Sequence, residues 1–194
     1  KDLVGTAVRD IAGDDGVVTG QLWYNTSENE YRYQRQFAGD AWSTQAALNT
    51  GRSILSGFGT QTAAIAVGGE TPAPAVVANT ESWNGSAWTE VNDLNTARLA
   101  AGADGTQTSG LFFGGTPPVT DATESWNGSS WTEVNDLNTA RNYIAAAGAD
   151  NTSSLGFGGT PGVTGATESW NGSSWTEVND LNTPRRQRCR FKYY

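Results

Sequence analysis

Acidic side chains recur at fixed places in a repeated segment of this chain, and they are the residues best suited to chemistry. Paired carboxylates can cleave glycosidic bonds, one as the acid and the other as the base or nucleophile. Carboxylates copied once per repeat form symmetric sets, however, and not one asymmetric acid–base pair. The repetition therefore indicates a structural role. The residues are Glu81, Glu124 and Glu168, then Glu90, Glu133 and Glu177, then Asp93, Asp136 and Asp180.

Ion pairs and turn caps are the structural roles that we expect for these groups. Arg98 and Arg141 are expected to bind a carboxylate of the repeat, and Glu124 and Glu81 are the candidate partners. The Asp of the "VNDLN" segment, Asp93 in the first full copy, is expected to cap a turn there. The oxygens of "NDLN" could ligate Ca²⁺, but their spacing matches no EF-hand loop. We predict no metal and no other cofactor.

Other common catalytic groups are missing or isolated. The chain has no His, which removes the usual general base, the usual zinc ligand and any Ser-His-Asp or Cys-His arrangement. Its single cysteine, Cys189, stands among arginines and cannot form an internal disulfide. The Gly-rich "GFGGTPG" at 156–162 lacks the Lys-Ser/Thr of a phosphate-binding loop. These features predict a protein that is not an enzyme.

Composition favours an all-β protein of short strands and many turns. The 194 residues include 24 Gly and 8 Trp, with only 16% charged residues. Residues 1–184 hold 7 basic and 20 acidic residues, and such an acidic body would repel nucleic acid. No apolar run approaches the length of a membrane helix, so we predict no membrane insertion. The absence of Met and the start at Lys1 indicate a processed chain, a segment of a longer protein or a missing true start.

Internal repetition determines the architecture. The segment "ATESWNGSSWTEVNDLNT" at 122–139 recurs unchanged at 166–183, and a near copy spans 80–98. The spacing from Trp83 to Trp126 is 43 residues, and from Trp126 to Trp170 it is 44. A degenerate earlier copy is marked by Trp42 and by "LNTGR" at 48–52. Each unit reads as four short strands, with Gly-Gly after the second strand.

The Asn-Gly between the third and fourth strands predicts a hairpin with a type I′ turn. Tryptophans flank that turn, and we expect them to pack in the core, although exposed Trp that stack on sugars are an alternative. The repeat anchors are Trp42, Trp83, Trp88, Trp126, Trp131, Trp170 and Trp175, with Arg52, Arg98 and Arg141.

The skeleton "R…A…GG…ESW…W", in units of 43–44 residues, resembles the kelch family of β-propeller blades and covers most of the chain. Trp83, Trp126 and Trp170 stand where kelch blades usually have Tyr. The version "GG(T)P…ATESWNGSSWTEVNDLNTAR" is similar to kelch-type repeats in tail-fibre and virion proteins of marine and cyanobacterial phages. The "GQLWYNTSENEYRY" at 20–33 resembles a hairpin of such fibre proteins. The resemblance implies a structural or host-binding role in a virion or an extracellular location.

The repeats predict about three blades, at 42–88, 88–131 and 131–175, within a repeat region over 41–184. Three blades are too few to close a propeller, which needs about four to eight. The chain could be part of a longer protein, several chains could share one ring or stack, or partners could bury an open β-array. We favour assembly with copies of the chain or with other virion proteins.

The two ends differ from the repeats. Residues 1–40 predict an aromatic hairpin that serves as an attachment element or, alternatively, completes the first sheet. The basic end, 185–194, alternates with period two, which predicts strand one of a fourth blade. A disordered or frameshift-like terminus is the alternative for this end.

The loops between Gly-Gly and the third strand vary in sequence while the frame of the repeat stays fixed, which predicts binding there, for example to host-surface glycans. A secreted bacterial carbohydrate-binding or adhesion module is the alternative function. The loop residues are Thr116, Pro117, Asp121, Thr160, Pro161 and Thr164.

Overall fold

The computed structural model describes residues 44–187 in full and, for the backbone alone, three short strands before them. The chain forms two compact units, residues 1–44 and 45–194. In the first unit β1 (Arg9–Asp10) pairs in parallel with β2 (Leu22–Asn25), and β2 pairs antiparallel with β3 (Glu30–Tyr33). The antiparallel pair confirms the predicted hairpin. Trp42 and most of the basic C-terminal segment lie outside the described residues.

The second unit is built from three four-stranded antiparallel sheets, each a simple meander in chain order. Within the described residues there is no helix, so the all-β prediction and the four-stranded unit are confirmed. Sheet I contains β4 (Ser56–Thr60), β5 (Ala63–Val67), β6 (Thr80–Trp83) and β7 (Trp88–Val91). Sheet II contains β8 (Gly102–Thr106), β9 (Ser109–Phe113), β10 (Thr123–Trp126) and β11 (Trp131–Val134). Sheet III contains β12 (Ala145–Asp150), β13 (Ser153–Phe157), β14 (Thr167–Trp170) and β15 (Trp175–Val178).

Strand register gives every sheet two distinct faces, because side chains alternate along a strand and paired residues share a face. In sheet II, Phe112 pairs with Glu124 on one face, whereas Phe113 pairs with Thr123 on the other. The first face, which we call the preceding face, packs on sheet I. The second, the following face, packs on sheet III. The same register recurs in the other two sheets.

Aromatic side chains fill the two layers between the sheets. Trp131 of sheet II meets Phe58 of sheet I edge-on, with ring centroids 6.3 Å apart. Trp175 of sheet III lies 4.7 Å from the ring of Phe113 in sheet II. Each layer is a separate hydrophobic core. Burial of such large rings between sheets that cannot bury a face alone is the main source of stability in a repeat of this kind.

The Asn-Gly turn differs from the predicted type I′ hairpin. Trp126 pairs with Trp131, so the loop has four residues and not two. Gly128 adopts a φ of 93°, but Asn127 does not enter the left-handed region. Instead, Asn127 Oδ1 accepts hydrogen bonds from the backbone N–H groups of Ser129 and Ser130. The side-chain amide thus closes the loop, which a type I′ turn would not require.

A ladder of backbone hydrogen bonds joins successive repeats. The N–H of Ala100 donates to the carbonyl of Ile54, and that of Tyr143 donates to the carbonyl of Ala100. The N–H of Gln187 donates in turn to Tyr143. The three donors occupy equivalent places: Ala100 and Tyr143 lie just before the first strands of sheets II and III. Gln187 therefore contacts the residue before sheet III in the way that Tyr143 contacts the residue before sheet II.

Candidate functional site

A buried arginine–glutamate pair occurs once in each sheet, at the point where the connecting segment enters it. Arg98 Nη2 lies 2.8 Å from Glu124 Oε1, and both side chains are almost fully buried. This is one of the pairings predicted from the sequence. Arg141 pairs with Glu168 at 2.7 Å, and Arg52 pairs with Glu81 at 2.9 Å.

The second oxygen of each glutamate is also occupied. Glu124 Oε2 accepts hydrogen bonds from the backbone N–H and from Nδ2 of Asn95, both at 2.8 Å. Arg98 Nη1 donates to the carbonyl of Ala122. Burial lowers the pKa of Arg98, and the neighbouring Glu124 opposes that shift. An Asn-x-x-Arg segment thus clamps the carboxylate of the following sheet, which leaves the carboxylate no free oxygen for acid–base chemistry.

The aspartates of the repeat have a different role from the one predicted. Asp136 Oδ1 accepts a hydrogen bond from the N–H of Thr123, 13 residues earlier. Asp93 and Asp180 make the same bond to Thr80 and Thr167. These carboxylates cap the first N–H of the third strand and do not cap a local turn in "VNDLN". The prediction was wrong because the sequence gives no sign that this segment folds back on the start of the hairpin.

The tryptophans that flank the Asn-Gly loop are interior residues in the described sheets. Trp126 is 1% exposed and Trp170 is 3% exposed. Trp131 Nε1 donates to Thr80 Oγ1 of the preceding sheet at 3.1 Å, and Trp175 Nε1 donates likewise to Thr123 Oγ1. Of the six tryptophans that flank these loops in sheets I to III, only Trp88, on the preceding face of sheet I, is half-buried.

The predicted binding loops share one construction, pinned at the base and exposed at the tip. Thr116 and Thr160 form backbone bridges with Leu99 and Asn142, respectively. Beyond these bridges, the tips that contain Pro117 and Pro161 are exposed. The apolar side chains Val119 and Val163 are 38% and 50% exposed. Asp121 and Thr164 lie half-buried where the loops return, and the carbonyl of Asp121 accepts the N–H of Leu137.

A cleft of about 420 Å³ opens on the preceding face of sheet I. Its floor is made of small residues, Gly57, Gly59, Ala64 and Ala66, and Trp88 forms part of its wall. Sequence reasoning did not anticipate this cleft. The signal was the absence of large side chains at these sheet I positions.

Two further arrangements were missed at the sequence level. Asp104 of sheet II is buried against sheet III, where Ser154 Oγ donates a hydrogen bond to its Oδ2. Asn182 and Arg185 repeat the Asn-x-x-Arg spacing, but neither binds a carboxylate of the described residues. The motif itself was the signal for this pair.

No family model matches the chain, and no curated protein matches it. Among residues 44–187 and the three N-terminal strands, no cluster of His, Cys, Asp or Glu could hold a metal ion. In the same part of the chain, no helix is long and apolar enough to cross a membrane.

Proposed function

We propose that this protein is a non-enzymatic scaffold, a kelch-like β-repeat array of a virion or fibre. The observation that carries the proposal is the structural use of the buried glutamate that recurs once in each sheet. Both oxygens of Glu124 are bound by Arg98 and Asn95, and Glu168 is bound in the same way by Arg141 and Asn138. Groups held in this manner stabilise a rigid frame and have no capacity left for substrate.

A virion or extracellular location is supported by the resemblance of the repeats and of the 20–33 segment to phage fibre proteins. Repeated four-stranded sheets that share identical third and fourth strands suit a fibre, since each sheet contacts only its neighbours and further repeats can be added to the array. We propose that copies of the chain, and other virion proteins, bury the sheet faces at its ends. Residues 1–40 would serve as the attachment element.

The exposed loops are the proposed contact with a host surface, and glycans are the proposed ligands. The loop of sheet I, at 70–79, differs in sequence from the loops around Pro117 and Pro161, and these two differ from each other at Pro118/Gly162 and Asp121/Gly165. The third strand that follows each loop reads Thr-Glu-Ser-Trp in all three sheets. Backbone bridges fix the bases of these loops, so that tips of different sequence project from bases of the same structure. A rigid scaffold with variable loops is a common basis for recognition.

A glycan array tests the recognition part of the proposal. Val119→Ser and Val163→Ser remove exposed apolar contacts from two loop tips, so we expect at least a tenfold loss of glycan binding with no change in thermal unfolding. Glu133→Gln, on an exposed strand position of sheet II, is the matched control and should bind as the unmodified protein does. Glycan binding that survives both loop variants contradicts the proposal.

A secreted carbohydrate-binding or adhesion module remains the alternative function. Its version with sugar-stacking tryptophans has less support, because Trp83, Trp126 and Trp170 are only 7%, 1% and 3% exposed. Mass spectrometry of purified phage particles separates the two functions. Peptides of this chain at structural stoichiometry support the virion role, whereas their presence only in the secreted fraction of a bacterium supports the adhesion module.

A further inference from the structure

The Asn-x-x-Arg segment occurs four times in the described part of the chain, but only three copies hold a carboxylate. Asn49–Arg52, Asn95–Arg98 and Asn138–Arg141 each bind the glutamate on the third strand of the sheet that follows. The fourth copy is Asn182–Arg185. Both of its residues are exposed, and no carboxylate within residues 44–187 forms an ion pair with Arg185.

The backbone around this fourth segment is already in its binding position. The N–H of Gly159 donates to the carbonyl of Arg185 at 2.9 Å, as that of Gly115 donates to Arg141 at 2.8 Å. The N–H of Arg185 donates to Thr164, as that of Arg141 donates to Thr120. Sheet III therefore carries a formed receptor for the glutamate of a further sheet.

The following face of sheet III lacks the cover that the same faces of sheets I and II have. Leu155 is 40% exposed, whereas its counterpart Leu111 in sheet II is 0% exposed. Thr167 corresponds to Thr80 and Thr123, which accept the indole N–H of the next sheet. Among the described residues, no indole N–H donates to Thr167.

The preceding face of sheet I presents the complementary surface. Trp88 corresponds to Trp131 and Trp175, but its Nε1 has no hydrogen-bond acceptor among the described residues. The cleft of about 420 Å³ beside it is lined by Ala64 and Ala66. Within residues 44–187, the indole N–H of Trp88 thus has no threonine acceptor, and Thr167 Oγ1 accepts no indole N–H.

Side-chain sizes across the sheet layers also agree. Phe113 of sheet II lies over Gly156 of sheet III, so a large side chain is paired with the smallest. The counterpart of Phe113 in sheet III is Phe157, and the counterpart of Gly156 in sheet I is Ala66. If the following face of sheet III packed on the preceding face of sheet I of another chain, Phe157 would therefore lie over Ala66, which lines the open cleft.

We propose that the following face of sheet III binds the preceding face of sheet I of a second copy of this chain. Trp88 of the second copy donates to Thr167, and Asn182 and Arg185 bind its Glu81. The proposal rests on the scaffold function above and names the partner and the surface. The occupant is argued from continuity with the two sheet layers already present within the chain.

Glu81 of the second copy is already held by its own Asn49 and Arg52, so binding exchanges one segment for another of the same kind. The segments are Leu-Asn-Thr-Pro-Arg at 181–185 and Leu-Asn-Thr-Gly-Arg at 48–52. Such an exchange of equivalent elements between copies has a low energetic cost. The gain is the burial of two apolar sheet faces.

The sequence of the N-terminal segment makes it a poorer candidate than a second copy for the partner that supplies a carboxylate to Arg185. "FAGDAW" at 37–42 aligns with "WNGSAW" at 83–88, and in that alignment Arg35 stands at the position of Glu81. An arginine there would face Arg185 with like charge. Two copies would contribute six four-stranded sheets, a number within the four to eight blades that propellers contain.

The first test is the native mass of the full chain, measured by sedimentation equilibrium across a range of concentrations. We expect a dimer of the 20.5 kDa chain. Arg185→Ala and Leu155→Lys should each raise the dissociation constant at least tenfold without changing the unfolding of the separated chain. Val163→Lys changes another exposed apolar residue, in a loop of the same repeat and away from the sheet face, and is the control that should leave the native mass unchanged.

The second test detects the register directly. Ala147 and Ala64 occupy the places of Asp104 and Ser154, which bind each other between sheets II and III. In a Cys189→Ser background, a mixture of the Ala147→Cys and Ala64→Cys proteins should form a disulfide-linked dimer, and neither variant should do so alone.

A chain that stays monomeric at every concentration overturns the proposal. A dimer that forms no crosslink in the mixture also overturns it. The outcomes separate this proposal from the proposed function. A monomer that binds glycans through its loops would contradict the interface between copies but not the recognition role. A crosslinked dimer without loop-dependent glycan binding would support the interface and contradict the recognition role.

Discussion

Trp175 Nε1 donates a hydrogen bond to Thr123 Oγ1 at 3.1 Å, and this bond spans the layer between sheets III and II. Both groups are buried, so no water can replace either partner. The same bond joins Trp131 to Thr80 one repeat earlier. A neutral hydrogen bond between a fourth strand and a third strand therefore sets the position of one sheet on the next, within an otherwise apolar contact.

Thr123→Val keeps the shape of this site but leaves the indole N–H without an acceptor. An unsatisfied buried donor costs about 1–3 kcal/mol, and we expect the free energy of unfolding to fall by that amount in urea denaturation. Thr132→Val, at an exposed position of the neighbouring strand, is the control and should change stability by less than about 0.5 kcal/mol. Equal effects from the two variants would contradict a role for the Trp175 bond.

Glu124→Gln tests the clamp formed by Asn95 and Arg98. The variant leaves the Arg98 guanidinium buried without its counter-charge, and breaking a buried pair from one side costs about 3–5 kcal/mol. Thermal unfolding should show a large fall in midpoint. Glu133→Gln changes the cross-strand neighbour of Glu124, which is exposed, and should have almost no effect. A small effect of Glu124→Gln would mean that the clamp does not hold the sheets.

Gly156→Ala tests the size pairing across the sheet layer. An added Cβ would lie 2.8 Å from Cε2 of Phe113, a ring with no exposed surface and no room to move. Overpacking of this kind costs about 1–3 kcal/mol. Gly51→Ala places a Cβ with nothing within 4 Å, so it should be neutral or slightly stabilising. Urea denaturation of both variants makes the comparison, and a stable Gly156→Ala protein would contradict the tight fit.

The strand plan could be predicted because it follows from local rules. Gly-Gly ends the second strand, Asn-Gly joins the third to the fourth, and the tryptophans mark the sheet interior, all from residue type and spacing. The Arg98–Glu124 pair could be predicted because charged residues that recur together need partners when buried. The repeated residues thus predicted the strands and this ion pair, but they did not predict the loop type at Asn-Gly or the role of the repeated aspartates.

Interactions between sheets could not be predicted, because they depend on which faces meet. Asp136 caps a strand 13 residues away, and no local pattern indicates that path. The layer between sheets I and II pairs Phe58 with Gly110, whereas the next layer has Asp104 and Ser154 at these positions. Two residues that contact each other thus both change from one layer to the next, and this can be recognised only when the packing of the sheets on one another is known.

The buried Asp104 predicts a stability that depends on pH. Burial against sheet III raises the pKa of Asp104 to about 6, and the hydrogen bond from Ser154 only partly opposes this effect. Nearby Asp150 adds to the rise. In addition, Asp104 Oδ1 has no hydrogen-bond partner. The charged form is therefore unfavourable in the fold, and the folded chain holds a proton between about pH 4 and 6 that the unfolded chain releases.

Stability should consequently fall as pH rises through the window from about 4 to 6 and should change little above it. Asp104→Asn removes the titration and resembles the protonated form. We expect the variant to be more stable than the unmodified protein at pH 8, by about 3 kcal/mol, with the difference shrinking towards zero below pH 4. Urea denaturation at several pH values measures this difference, and Glu133→Gln should show none. A difference that is the same at pH 4 and pH 8 would show that the fold does not raise the pKa of Asp104, because stability depends on pH only through groups whose pKa differs between the folded and unfolded states.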